Sequence, residues 1–178
     1  MLTQQILQIA REEGFSQVGE LNVEGLRFLP EVRQMCAADK CNQYGKRWTC
    51  PPHCGTLEEI SEKARRYSRG ILVQSTGQME DDFDVDCMME TEQLQKKRFH
   101  ALVKRVRQEC PDCLPMASGA CTVCETCTCP DAPCRAPDQA IPSMEAYGMV
   151  VSEVCQQSGM AYYYGPQTIT YTSCILVD

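Results

Sequence analysis

Seven of the chain's fourteen cysteines fall between Cys110 and Cys134. Within that stretch the run Cys121-x2-Cys124-x2-Cys127, with Cys129 and Cys134 beyond it, has the spacing that wraps an iron–sulfur cube. Three thiolates two residues apart turn inward around one cubane without regular backbone, and a more distant cysteine supplies the last iron. A segment of this kind takes its shape from what it binds, so the hydrophobic core must come from the rest of the chain.

The rest is sufficient. With 178 residues, 43% hydrophobic and 23% charged, the sequence suits one globular domain spanning residues 1–178, and cysteines are not needed to replace a missing core. Fourteen thiols therefore call for a chemistry: metal, redox work or disulfides. The start, Met1-Leu2-Thr3-Gln4-Gln5-Ile6, has no basic region followed by an apolar stretch and a small-residue cleavage site. No apolar run approaches the roughly 20 residues that cross a bilayer. The reading is a soluble cytoplasmic protein whose thiols stay reduced. A net charge of −7 argues against nucleic acid and against an anionic membrane as partner, because both are bound through clustered Lys and Arg.

Hydrophobic periodicity outlines an α+β fold. Ile6, Ile9 and Ala10 share a face of a first helix that Gly14 ends, and Phe15 to Val23 reads as a strand. Thr56-Leu57-Glu58-Glu59 is a capping box opening a second helix, and Ile71-Leu72-Val73 reads as a buried strand. Phe99, Leu102, Val103 and Val106 fall at i, i+3, i+4 and i+7 of a helix over about 88–109. Pro142-Ser143 then starts a helix that turns Met144, Tyr147, Val151 and Val154 inward before Gly159. Ala161 to Tyr164 and Thr168 to Val177, split by Gly165-Pro166, suggest a terminal hairpin or two adjacent strands. The order implies a small mixed four-stranded sheet with packed helices and two cysteine-rich loops.

The second cysteine group admits zinc as an alternative, since Cys110-x2-Cys113 and Cys121-x2-Cys124 make two CxxC pairs. Three consecutive x2-spaced thiols suit a cube better. Its fourth ligand is Cys129 or Cys134. Cys134, after Asp131-Ala132-Pro133, has the length to return to the open corner and is favoured. The first group, Cys36-x4-Cys41-x8-Cys50-Pro51-Pro52-His53-Cys54, offers four thiols and an imidazole for a second centre, with Tyr44, Gly45 and Trp48 inside the loop as a dry cover or a core anchor. His53 reads as a neighbour of that site, and Cys87, Cys155 and Cys174 read as small buried hydrophobes. Glu80-Asp81-Asp82, Asp84 and Asp86 read as a solvated loop, since their spacing is not that of a calcium loop.

Several of these motifs coincide in order with those of a known family. Cys36-x4-Cys41-x2-Tyr44-Gly45-Lys46-x-Trp48-x-Cys50-Pro51-Pro52, Gly119-x-Cys121-x2-Cys124-x2-Cys127, Pro133-Cys134-Arg135-x-Pro137 and Pro142-Ser143-Met144-Glu145-Ala146-x-Gly148 together resemble the DUF2284 family of predicted metal-binding proteins. The resemblance implies that Cys36, Cys41, Cys50, Cys121, Cys124, Cys127 and Cys134 are the functional thiols. Cys54 is not a position of the family pattern, and Ile141 stands where the pattern has arginine.

The residues thus point to a [4Fe–4S] protein that passes electrons to a redox partner, with Cys121, Cys124, Cys127 and Cys134 holding one cluster. Cys36, Cys41, Cys50 and Cys54 would hold a second centre. The alternatives are a zinc-stabilised interaction module and a redox enzyme with an open iron or organic-cofactor site. No Gly-rich phosphate loop or Gly-x-Ser-x-Gly elbow is present, and His53 and His100 are the only histidines.

Overall fold

The computed structural model describes residues 3–178. In chain order the elements are α1 (Thr3–Glu12), β1 (Gln17–Glu20), α2 (Pro30–Ala37), α3 (Leu57–Ala64), β2 (Arg69–Gln78), α4 (Val85–Glu109), β3 (Leu114–Met116), α5 (Val151–Gln157) and β4 (Thr168–Val177). A single 3-10 turn, Val23–Gly25, follows β1. The fold class is the α+β arrangement the periodicity implies. The sheet runs β1-β2-β4-β3, and every strand pairing is antiparallel rather than mixed.

Alternation along the two long strands builds the core on both faces of the sheet. Ile71 and Val73 of β2, with Ile175 and Val177 of β4, face α1 and α4, where Ile6, Phe99, Leu102 and Val106 are buried. Leu72, Cys174 and Leu176 face the other way, onto α3, α5 and the 144–149 segment. The amphipathic stripe of α4 is therefore core, as its spacing requires. Asp84, from the acidic loop, caps this helix by accepting from Cys87 N at 3.0 Å.

Four local outcomes differ from the sequence reading. The first strand stops at Glu20, because Leu21 turns inward with its N–H on Gly70 O, 2.9 Å away. Residues 143–148 form a succession of turns instead of a helix: Ser143 Oγ accepts from Ala146 N at 3.0 Å, and Gly148 sits at φ +81°, outside helical space. The helix begins only at Val151. Ala161 to Tyr164 is not a strand; Gln74 holds it through its side chain, donating to Ala161 O (2.9 Å) and accepting from Tyr164 Oη (2.7 Å). The fourth strand is Leu114-Pro115-Met116, an edge position where a proline deprives the ladder of little.

The capping box of α3 forms in full, with Thr56 Oγ1 accepting from Glu59 N (3.1 Å) and Glu59 Oε2 from Thr56 N (2.7 Å). Thr56→Ala is expected to cost about 1 kcal/mol. A urea titration checks it: the midpoint falls while the slope stays constant. Among the described residues no helix is long and apolar enough to cross a membrane.

Candidate metal centre

Apart from Cys36, both cysteine groups lie on irregular backbone, and neighbouring residues of the 47–51 and 119–121 segments line the recesses of both. Cys36 occupies the last turn of α2, and Cys41 and Cys50 follow on a loop turned by Asp39 and Asn42, both at positive φ. Tyr44 N donates to Asp39 Oδ1 at 2.9 Å and Cys50 N to Arg47 O at 3.1 Å, which shape the loop from within. Cys36, Cys41 and Cys50 line a recess of about 210 Å³ whose far wall is Gly119, Ala120, Ser143 and Glu145. That wall is pinned by an isolated parallel bridge, in which Ala117 N donates to Pro142 O (2.8 Å) and Met144 N to Ala117 O (3.0 Å).

Cys54 stands slightly apart. Its thiol points to Ala146 O at 3.6 Å, and it packs partly against the core. Arg33 ties the neighbourhood together by donating to Ala146 O and to Gly55 O.

The second recess is narrower, about 20 Å³, and Cys121, Cys124, Cys127 and Cys134 all line it, with Arg47, Trp48 and Thr49 on the opposite side. Cys129 is turned away and buried, its thiol directed at Gly45 O, 3.8 Å distant. Cys113 is buried in the core beneath α4 and Cys110 packs beside it, so this CxxC pair does not complete the second group. Cys155 and Cys174 are fully buried, as read from the sequence, while Cys87 is only partly buried. His53 lies edge-on to the Trp48 ring, with centroids 5.3 Å apart. His100 is engaged elsewhere, between Lys96 O and Gln139 O.

The electrostatics of the two groups differ. Burial pushes the Cys50 thiol up to about 11, the Cys41 and Cys54 charges add to this, and Arg47 offsets only part of it. Cys36 is raised by burial and by the charges of Cys41 and Glu145, and Cys54 by burial and by Cys36. Metal entering the first group must therefore displace protons, so its affinity rises with pH. Glu145 keeps solvent contact on one side, yet the protein around its carboxyl pushes the pKa up, with Ser143 opposing. Cys121 is likewise raised by burial, with Cys134 and Cys124 adding and Arg47 opposing. Cys127 is the exception. Burial works against its thiolate, but backbone N–H groups of Cys129, Trp48 and Thr128 and the Arg47 charge outweigh it, so its pKa falls.

The donor chemistry fits a thiophilic metal. None of the fourteen cysteines is joined in a disulfide, and four thiols line a single recess. Thr49, only 4% exposed, also lines it, and its Oγ1 makes no hydrogen bond, although it stands near enough to Cys50 to favour that thiolate. Among the described residues no three His, Cys, Asp or Glu side chains converge on one point as a single ion requires.

Sequence reasoning found the cysteines and missed Arg33, Arg47, Thr49 and Glu145. Arg33, Arg47 and Thr49 belong to no motif, Glu145 stands in the Pro142–Gly148 motif without an assigned role, and all four come to the site only when distant loops meet.

No curated protein and no solved structure matches the chain. The sequence profile of one family, described as predicted metal-binding proteins, matches residues 19–177. That span takes in both cysteine groups and the sheet that carries them, and the chain belongs to the DUF2284 family.

Proposed function

We propose that the protein is a cytoplasmic iron–sulfur protein that exchanges single electrons with a partner protein. Cys121, Cys124, Cys127 and Cys134 would hold a [4Fe–4S] cluster, and Cys36, Cys41, Cys50 and Cys54 a second centre. The observation that carries this reading is the presence of all four of the 121–134 thiols on one recess while Cys129 faces away. A cluster bound there supplies one-electron redox chemistry.

The chain's own residues do the rest. Cysteine thiolates bind, the N–H groups around Cys127 stabilise negative charge on sulfur, and Arg47 adds a positive charge between the groups. The part-buried Trp48 ring limits water at the second recess. The first recess has room for a multi-iron core, and the two recesses share the 47–51 and 119–121 segments as walls, which suits short electron transfer between centres. The narrowness of the second recess suits the smaller occupant of the other reading, a zinc ion on which the four thiols would close to hold an interaction module together.

Anaerobic purification and reconstitution, followed by iron, sulfide and zinc analysis and EPR of the reduced protein, separates them. Iron and sulfide in equal amounts, about four of each per cluster, are expected. In addition, Cys134→Ser should lose iron from the second group and Cys129→Ser should retain it. Stoichiometric zinc with no iron after reconstitution would overturn the electron-transfer reading.

A further inference from the structure

The two thiol groups are joined by a four-residue stretch in which every residue touches one or both. Cys50 lines the first recess, and Arg47, Trp48 and Thr49 line the second. The Trp48 indole N–H lies 3.2 Å from Ala132 O and 3.3 Å from Thr128 Oγ1, both inside the loop that carries Cys127 and Cys134. Thr128 Oγ1 in turn donates to Pro133 O at 2.8 Å, beside Cys134. From the other direction the Cys129 thiol reaches back to Gly45 O, in the first loop. Each loop is thus held in shape by contacts to the other.

We propose that the Arg47–Cys50 segment couples the two centres, so that loading either group with metal raises the affinity of the other. This rests on the reading that both groups bind metal. Filling the first group fixes Cys50 and the loop leading to it, and with it the Trp48 N–H that shapes the second loop. Ordering already in place for one metal need not be imposed again for the next, which is positive cooperativity. Two thiolate-bound centres so close would otherwise repel, since thiolates bring excess negative charge. The Arg47 guanidinium, which lines the second recess on the stretch that leads to Cys50, offsets that repulsion. Trp48 and Arg47 are positioning residues in this scheme, and the ligands remain the thiols.

Coupling of this kind is reciprocal, which gives a test that loop stability alone does not pass. The probe is Cd2+, titrated anaerobically into the metal-free full chain. Its sulfur charge-transfer absorbance reports binding, and alkylation of each cysteine read by mass spectrometry assigns the site. The double variant Cys36→Ser, Cys41→Ser, at partly or fully exposed positions, should weaken Cd2+ binding at the 121–134 group about five- to tenfold. Cys124→Ser should weaken the first group by the same factor. In Trp48→Phe, which keeps an aromatic ring and removes the indole N–H, the mutual factor should fall towards one.

If Trp48 merely stabilised its loop, both affinities would drop in Trp48→Phe with the mutual factor unchanged, and the proposed route would be wrong. Wild-type groups that both bind Cd2+ with independent affinities would overturn the coupling and leave metal binding intact. A wild-type group that takes no Cd2+ would overturn the two-centre reading itself. Far-UV circular dichroism of each metal-free variant, unchanged from wild type, verifies that the fold is retained.

Discussion

Cys124→Ser is expected to empty the 121–134 group and to lower the melting temperature of the metal-loaded protein by about 8–16 °C, with no change in the metal-free protein. A metal that binds only the folded state adds about 4 kcal/mol when present at a thousand times its dissociation constant. For a chain of this length each kcal/mol is worth about 2–4 °C. Cys174→Ser is the control. That thiol is fully buried between the layers, where it faces the core beside Leu72 and Leu176, and burial raises its pKa strongly. A hydroxyl there, lacking a partner, costs about 1–3 kcal/mol. The loss should appear equally with and without metal, and metal content should not change. Calorimetry on both variants, with metal analysis of the same samples, distinguishes the two. Equal metal content in Cys124→Ser and Cys174→Ser would remove Cys124 from the ligand set.

Gly148→Ala should damage the first group from a distance. Gly148 sits at φ +81°, and a Cβ there would stand 3.0 Å from the backbone N and O of Leu29 and 2.8 Å from Leu57 Cδ2. The left-handed conformation alone costs an alanine about 1–2 kcal/mol, and crowding against fixed backbone adds to it, for a total of at least about 2 kcal/mol. Leu29 is the N-cap of α2 and donates to Gly148 O at 2.7 Å, so relief of the clash moves the helix whose last turn carries Cys36. The expected result is a lower urea midpoint together with weaker metal binding at the 36–54 group, and a smaller loss at the 121–134 group. Unchanged binding at the first group would show that α2 does not position Cys36.

The parts of the fold that were legible are those whose residues act locally. The stripe through Phe99 and Val106 and the capping box at Thr56 need only their own turn of backbone, and both form. What escaped depends on partners far away in sequence. Leu114-Pro115-Met116 becomes a strand because β4 offers it an edge, and three residues containing proline carry no periodicity. Ala161 to Tyr164 has strand composition, yet the Gln74 amide takes up its polar groups before a ladder can form. The candidate centre divides in the same way. Cysteine spacing made the 121–134 thiols visible and favoured Cys134 over Cys129; in the fold Cys134 lines the recess with Cys121, Cys124 and Cys127, and the Cys129 thiol is directed at Gly45 O. The indole of Trp48 bonded to Thr128 and Ala132, eighty residues on, leaves no trace in either segment alone.

The hydrophobic layers on both faces of the sheet are assembled mainly from aliphatic and aromatic side chains, and of the eight candidate ligands only Cys54 packs against them; Cys36 rides on the last turn of α2 and the others on loops. A core that draws so little on the candidate ligands predicts that folding and filling are separable. On the reading that both groups hold metal, a newly made chain would reach its shape before loading, and the time of loading would be set by supply of the inorganic component rather than by synthesis.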